Sequence, residues 1–316
     1  MRCGGPPGHI HTQGCQVKYF DELSKEAKNV IKELERRGVK EQHLAFGGAG
    51  AQPIKEPRTP TDARSEFLAN RAMGDWAEDL LASSLRNAIP EWQVVHFGET
   101  ASIAAGEEGF QEHYRNGIKE VRKHGKRPDL LIFERSRGID VPDDVSKQPF
   151  EQIDELPEKA IGSIEVRSSK FEALKYMKER AKDKEQKKAA ARECPSFTVK
   201  VEDLVIVYRW LERKKIPQAY FQVFFDSVFA INFLDIFTHI AAWSKGVAIE
   251  SPAKSQEKAT LMIPITYGKQ VARMTKMPIF TAETRITRLG RHDAFVKPQG
   301  GELLIDTTNV KTVIGV

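Results

Sequence analysis

Two short runs, RPDLLIFE at Arg127–Glu134 and SIEVRSSK at Ser163–Lys170, constrain this chain more than any other feature. Each has the length and aliphatic content of a buried strand, yet each carries charge where a core strand does not tolerate it: Asp129 in the first, Glu165 and Arg167 in the second. Side chains alternate faces along a strand, so Ile164 and Val166 leave by one face while Ser163, Glu165 and Arg167 leave by the other. The pattern predicts two carboxylates meeting beside a cation.

With 316 residues the chain buries a sizeable core, as one large domain with embellishments or as two smaller domains. Hydrophobic content of 40% fits a globular protein. No apolar run approaches the ~20 residues that span a bilayer, and the opening MRCGGPPGHIHTQGC has no apolar signal core, so a cytoplasmic protein without membrane segments is expected. Three cysteines, Cys3, Cys15 and Cys194, are too few for a disulfide framework and agree with a reducing compartment. The net charge of +5 permits a polyanionic partner without requiring one.

Residues Met1–Gln16 read as irregular; Cys3, His9, His11 and Cys15 are zinc-ligand types, but their spacing fits no common zinc pattern and a flexible tail is expected. Apolar residues at helical spacing predict a helix over Tyr19–Arg37, followed by a Gly- and Pro-rich linker over Phe46–Pro60. A second helix is expected from Thr61 to Asn87, with Asp62 as its N-cap and Glu78 beside its apolar stripe. On its own, Glu78 reads as the solvated flank of that helix. Trp92–Gly98 is a strand candidate, Ala101–Lys126 a charged loop with a short helix, and Arg135–Lys159 a polar insertion. Lys170–Glu193 has helical character and is dense in Lys and Arg; a solvated face and a phosphate-contacting face are both open readings.

Glu202–Lys214 reads as a helix, and Ala219–Phe225 and Val228–Phe233 as two strands joined in a hairpin. Beyond Ile236 the periodicity weakens into short strands and basic loops holding Lys269, Arg273, Lys276, Arg285, Arg288 and Arg291. There is no internal repeat, phosphate loop, GxGxxG before a helix or CxxC pair. Cys194 precedes Pro195 with no histidine nearby in sequence, which argues against a thiol nucleophile.

A helix with Glu78, a strand with Pro128-Asp129, a strand with Glu165-Val166-Arg167 and then a basic helix is an order that resembles the PD-(D/E)xK nucleases. More narrowly, EVRSS, FTVKVEDL at Phe197–Leu204 and QVFFD at Gln222–Asp226 are similar to the AccI-type group of type II restriction endonucleases. The resemblance covers roughly Asp62 to Phe233. It implies an α/β fold with a central mixed β-sheet flanked by helices, and N-terminal helical and C-terminal β-rich additions. The expected division is a tail, helix and linker over 1–60, a nuclease core over 61–235 and an extension for DNA recognition or dimerisation over 236–316.

The implied activity is Mg²⁺-dependent hydrolysis of double-stranded DNA at a specific sequence, leaving 5′-phosphate and 3′-hydroxyl ends, in a restriction system. A hard cation held by carboxylates both activates water and neutralises developing charge, and Mg²⁺ needs only one or two of them. Asp129 and Glu165 would hold it with the Val166 carbonyl, and Glu78 would bind a second ion directly or through water. Where the family consensus has lysine this chain has Arg167, which stays protonated and cannot serve as a base. Lys170 is the substitute cation if the strand ends early. Phosphate contacts are expected from Lys175, Lys178, Arg180, Arg285, Arg288 and Arg291, and a homodimer if the target is palindromic. Three alternatives stay open: a structural ion pair on an edge strand, a structure-selective repair nuclease, and a non-catalytic DNA-binding regulator.

Overall fold

A computed structural model describes residues 10–44, 65–99, 108–185, 192–250, 259–287 and 290–316, apart from the side chains of 10–17, 41, 42 and 183–185. In chain order the helices are α1 (Ile10–Arg36), α2 (Glu41–Leu44), α3 (Ser65–Ala88), α4 (Phe110–His124), α5 (Phe150–Ile153), α6 (Leu156–Lys159), α7 (Ala173–Glu185), α8 (Val201–Lys214), α9 (Phe233–Ala241) and α10 (Thr307–Ile314). The strands are β1 (Trp92–His96), β2 (Leu130–Glu134), β3 (Gly162–Ser168), β4 (Ser196–Lys200), β5 (Gln218–Val223), β6 (Ser227–Asn232), β7 (Ala248–Glu250), β8 (Thr260–Pro264), β9 (Lys269–Lys276), β10 (Ile279–Ile286), β11 (His292–Gln299) and β12 (Glu302–Ile305).

Seven strands form a mixed sheet in the order β1-β2-β3-β5-β6-β9-β12. β3 and β5 run parallel, so the chain between them must cross over, and it does so through α7, β4 and α8. The other neighbours in this sheet are antiparallel. The fold is therefore α/β with a central mixed sheet flanked by helices, as the sequence leads one to expect. β9 and β12 come from the C-terminal region and close one side of the same sheet, while β10 and β11 pair as a separate ribbon against α3.

The sheet carries a core on each face. Ile164, Val166, Ala219 and Phe221 pack with Met73, Ala77, Leu81 and Leu85 of α3 and with Val310 and Ile314 of α10. On the other face Tyr220, Phe133 and Leu131 pack with Trp210 and Leu204 of α8 and with residues of α1, α9 and the small β4-β8-β7 sheet. The alternation along β3 thus sends Ile164 and Val166 toward α3 and Glu165 toward α8.

Several local expectations are corrected. Residues 10–16 are helical, because α1 starts at Ile10 rather than at Tyr19. The weak periodicity after Ile236 conceals α9 and α10. Lys269, Arg273, Lys276 and Arg285 lie on β9 and β10, not in loops; these strands have exposed positions along their length, so charge replaces the apolar alternation that would reveal them. Cys3, His9, Asp62 and Arg288 lie outside the described residues, as do the side chains of His11 and Cys15. Among the described residues no helix is long and apolar enough to cross a membrane.

Candidate active site

The antiparallel ladder between β2 and β3 pairs Leu130 with Ile164 as its last rung at this end. One step further the strands part, and the Asp129 carboxylate takes over the bond a backbone carbonyl would make: its Oδ2 accepts from the Val166 N–H at 2.6 Å. The backbone of Asp129 is fixed as well, its carbonyl accepting from Phe97 N at 2.9 Å and Gly98 N at 3.1 Å. Gly98 permits that approach, since a Cβ there would sit 3.0 Å from the Asp129 Cα. Asp129 is thereby held at the mouth of a widening gap between two strands.

Glu165, 2% exposed, fills the far side of the gap. It pairs with Lys126 Nζ and, at 2.9 Å, with Nη2 of Arg167. Its Oε2 is buried without a hydrogen-bond partner among the described residues. Buried carboxylate oxygens are rarely left so. The same Nη2 of Arg167 donates to Asp203 Oδ2 at 2.7 Å, and Arg167 Nε donates to the Tyr220 hydroxyl at 3.2 Å. Tyr220 in turn donates to the Thr198 carbonyl. Asp203 stands in the first turn of α8, where an acidic side chain also complements the helix dipole.

Glu78, on α3, lies within electrostatic reach of Asp129 and Glu165. Burial pushes its carboxyl up to about 9, helped by the charges of Asp129, Glu165 and Asp75. Burial and the neighbouring Glu165 push Asp129 up to about 7 against the pull of Lys126, Arg167 and the Val166 N–H. For Lys126, burial and Arg167 would lower the ammonium, but Glu165, Asp129 and Asp203 outweigh them and raise it, so it stays charged. Arg167 is likewise raised well above its ordinary value: burial opposes this, and Glu165, the Tyr220 hydroxyl and Asp203 prevail. More negative charge is gathered here than burial favours in ionised form, a pattern that functional sites and buried ion-pair networks share.

The structure brings together Glu78, Asp129, Glu165, Val166 and Arg167 of the residues singled out from sequence. Lys170 is exposed two residues past the end of β3, whereas Arg167 touches Glu165 directly. Lys175 and Lys178 are exposed on α7, Lys175 pairing with Glu172 at 2.7 Å. Arg180 stands over the Tyr176 ring, 5.7 Å from its centroid. Arg285 and Arg291 both turn to Asp293, at 3.3 and 3.7 Å. Sequence reasoning missed Lys126, Asp203, Tyr220 and Gln222. Gln222 sits opposite Arg167 in the β3-β5 register, 2% exposed, with its Oε1 unpartnered among the described residues. The strings VKVEDL and QVFFD contained Asp203, Gln222 and Asp226 but not their roles.

Asp226 lies in the turn between β5 and β6 and caps α7. Its Oδ1 accepts from Ala173 N at 2.8 Å, and its Oδ2 from Leu174 N at 2.8 Å and Lys175 N at 3.1 Å. The basic helix is thus anchored at its start to the hairpin beside the site.

Among the described residues no three His, Cys, Asp or Glu side chains are grouped closely enough to hold a metal ion by themselves. A cation that keeps several waters and takes only one or two carboxylates does not require such a group. The orphaned Glu165 Oε2 fits an ion of that kind, as does Asp129, whose ionised form burial and Glu165 disfavour and a bound cation would favour.

The chain matches no curated protein and no solved structure. The family model described as AccI restriction endonuclease matches residues 27–191 and 172–316, a span that takes in Glu78, Asp129, Glu165, Arg167, Asp203 and Asp226 together. On that match, which covers most of its length and every residue gathered at the strand gap, the chain belongs to the AccI restriction endonuclease family.

Proposed function

We propose that this restriction endonuclease is a type II enzyme of PD-(D/E)xK character that cuts a specific sequence in double-stranded DNA with Mg²⁺, leaving 5′-phosphate and 3′-hydroxyl ends. The observation that carries the reading is the meeting of Asp129 and Glu165 where β2 and β3 part, with Lys126 and Arg167 on the same carboxylate. Asp129, Glu165 and the Val166 carbonyl would hold the ion, and Glu78 would bind a second one directly or through water. An extended residue presents its N–H and C=O to the same strand edge, and the Val166 N–H already faces Asp129. When bound, the ion polarises the phosphate and makes a water nucleophilic at neutral pH.

The chain's own residues supply the rest. Asp129 and Glu165 keep negative charge at the gap, and Arg167, permanently protonated, offsets charge on the phosphate rather than abstracting a proton. Lys175, Lys178 and Arg180 of α7 would contact the DNA backbone, and Arg285, Arg288 and Arg291 would add further contacts from the C-terminal part of the chain. A two-fold dimer would place one site on each strand of a palindromic target. The absence of a disulfide framework in the sequence suits a protein working in the cytoplasm.

Incubating the full chain with plasmid DNA and Mg²⁺ tests this. Discrete fragments are expected, and they should vanish with Asp129→Ala and with Glu165→Ala. Cleavage confined to branched substrates would favour a repair nuclease, and a gel shift without cutting a DNA-binding regulator. Normal cutting by both variants would overturn the site.

A further inference from the structure

The cation of the ExR motif is heavily committed. Arg167 divides one nitrogen between Glu165 at 2.9 Å and Asp203 at 2.7 Å, and its Nε is bound to Tyr220. A guanidinium gripped on two sides by protein has few donors left to follow a phosphate as charge develops.

A second cation reaches the same carboxylate from another direction. Lys126 pairs with Glu165 and feels the charge of Asp129, yet it belongs to neither motif strand; it lies near the start of the loop between α4 and β2. Its side chain is half-buried and its ammonium lies against the Glu165 carboxylate, inside the gap that Asp129 and Glu165 share.

That loop is built to hold it. Gly125 has φ +88, and a Cβ on it would fall 2.5 Å from Trp210 N, so only glycine lets the chain press against α8. The Lys126 N–H donates to the Ile206 carbonyl at 3.0 Å. Arg209 and Arg213 of α8 donate to the carbonyls of Arg122 and Lys123 at 2.7 and 2.9 Å, tying down the end of α4. On the other side Arg127 forms a bidentate pair with Glu120, at 2.6 and 2.7 Å. Backbone on both flanks is fixed, and the Lys126 side chain is the part that projects into the gap.

We propose that Lys126 is a catalytic residue of this enzyme: its ammonium donates to a non-bridging oxygen of the scissile phosphate, the place the motif would give to its own cation. The inference rests on the nuclease reading above. In the reaction a water oxygen bonds to phosphorus while the bond from phosphorus to the 3′ oxygen breaks. The water gives up a proton and the 3′ oxygen gains one, with no net redox change. Lys126 keeps its proton throughout and acts by fixed charge, stabilising the oxygen on which negative charge grows.

The experiment uses the full chain and a plasmid, measuring single-turnover cleavage in Mg²⁺ and a gel shift in Ca²⁺ for wild type, Lys126→Ala, Lys126→Met and Lys126→Cys. Losing one donor to a developing oxyanion predicts a fall of about 10²-fold in Lys126→Ala and Lys126→Met, with DNA affinity within about threefold of wild type. Aminoethylating Lys126→Cys with 2-bromoethylamine rebuilds an ammonium at nearly the same reach. It should restore about tenfold or more over untreated variant, while wild type treated alike gains nothing. A merely structural pair with Glu165 would instead register in the melting temperature. Cleavage by either lysine-free variant at the wild-type rate overturns the assignment, as does a folded Lys126→Cys that aminoethylation leaves inactive. Wild type that cuts no DNA overturns the nuclease reading itself, and this assignment with it.

Discussion

Asp203 accepts a 2.7 Å hydrogen bond from the same guanidinium nitrogen of Arg167 that reaches Glu165, so the motif arginine is held between a carboxylate of its own strand and one at the start of α8. A hydrogen bond between charged groups contributes about 1.5–3 kcal/mol, which is about ten to a hundredfold in rate if all of it is felt in the transition state. Asp203→Asn keeps the volume and removes the charge. Its single-turnover cleavage should fall by about tenfold or more with DNA affinity little changed, because Arg167 loses its anchor rather than its own charge. A wild-type rate would show that Glu165 and Tyr220 orient Arg167 unaided.

Electrostatics at the gap predict a stability profile for the metal-free protein. Unfolded carboxylates lose their protons near pH ~4, whereas in the fold Asp129 holds its proton to about 7 and Glu78 to about 9. Between those values the native state binds more protons than the unfolded chain, so this contribution is fully present below the unfolded pKa and is lost as pH rises. Thermal melts in EDTA should therefore show a fall in melting temperature through neutral pH, shallower in Glu78→Gln, which mimics the protonated form. Adding Mg²⁺ should recover more stability at pH 8 than at pH 6, because ligands must be ionised to bind it. A profile unaffected by Glu78→Gln would remove Glu78 from the cluster.

The Asp226 cap on α7 is open to a purely structural test. Removing an N-cap carboxylate costs about 0.5–2 kcal/mol, and here three N–H groups share it. Asp226→Ala should lower the unfolding free energy by an amount in that range, seen as a lower urea midpoint with the slope of the transition unchanged. An unchanged midpoint would mean that α7 is held by packing alone.

How much of this was legible in the chain follows from the range of each interaction. The facing of Ile164 and Val166 against Glu165 is a matter of strand period, and the order of Glu78, Asp129 and Glu165 is a matter of sequence, so both could be read directly. Lys126 could not, because its reach depends on Gly125 pressing against Trp210, a contact made 85 residues along the chain. Asp203 and Asp226 were visible as parts of quoted strings, yet a carboxylate at a helix start has many partners within reach until the crossover brings β3 and β5 side by side. α9 was hidden because Phe233 and Leu234 resume the apolar character of β6 with only Asn232, the last residue of β6 and the N-cap of α9, intervening. Arg285 read as a loop cation because the face of the ribbon it shares with Asp293 is a polar one.

That last contrast separates two kinds of basic residue and yields a final prediction. Lys175 and Lys178 stand exposed on α7, whereas Arg285 is bound to Asp293 and helps shape the ribbon. Each cation that neutralises a DNA phosphate adds about 0.9 to the slope of log affinity against log salt. The double variant Lys175→Ala/Lys178→Ala should then reduce that slope by about 1.8 and weaken binding to any DNA sequence alike, with the melting temperature nearly unchanged. Arg285→Ala should act the other way, lowering the melting temperature through the loss of a partly buried pair. Equilibrium binding across a salt series in Ca²⁺ reads the first, and a thermal melt the second. An unaltered slope in the double variant would place α7 away from the DNA backbone.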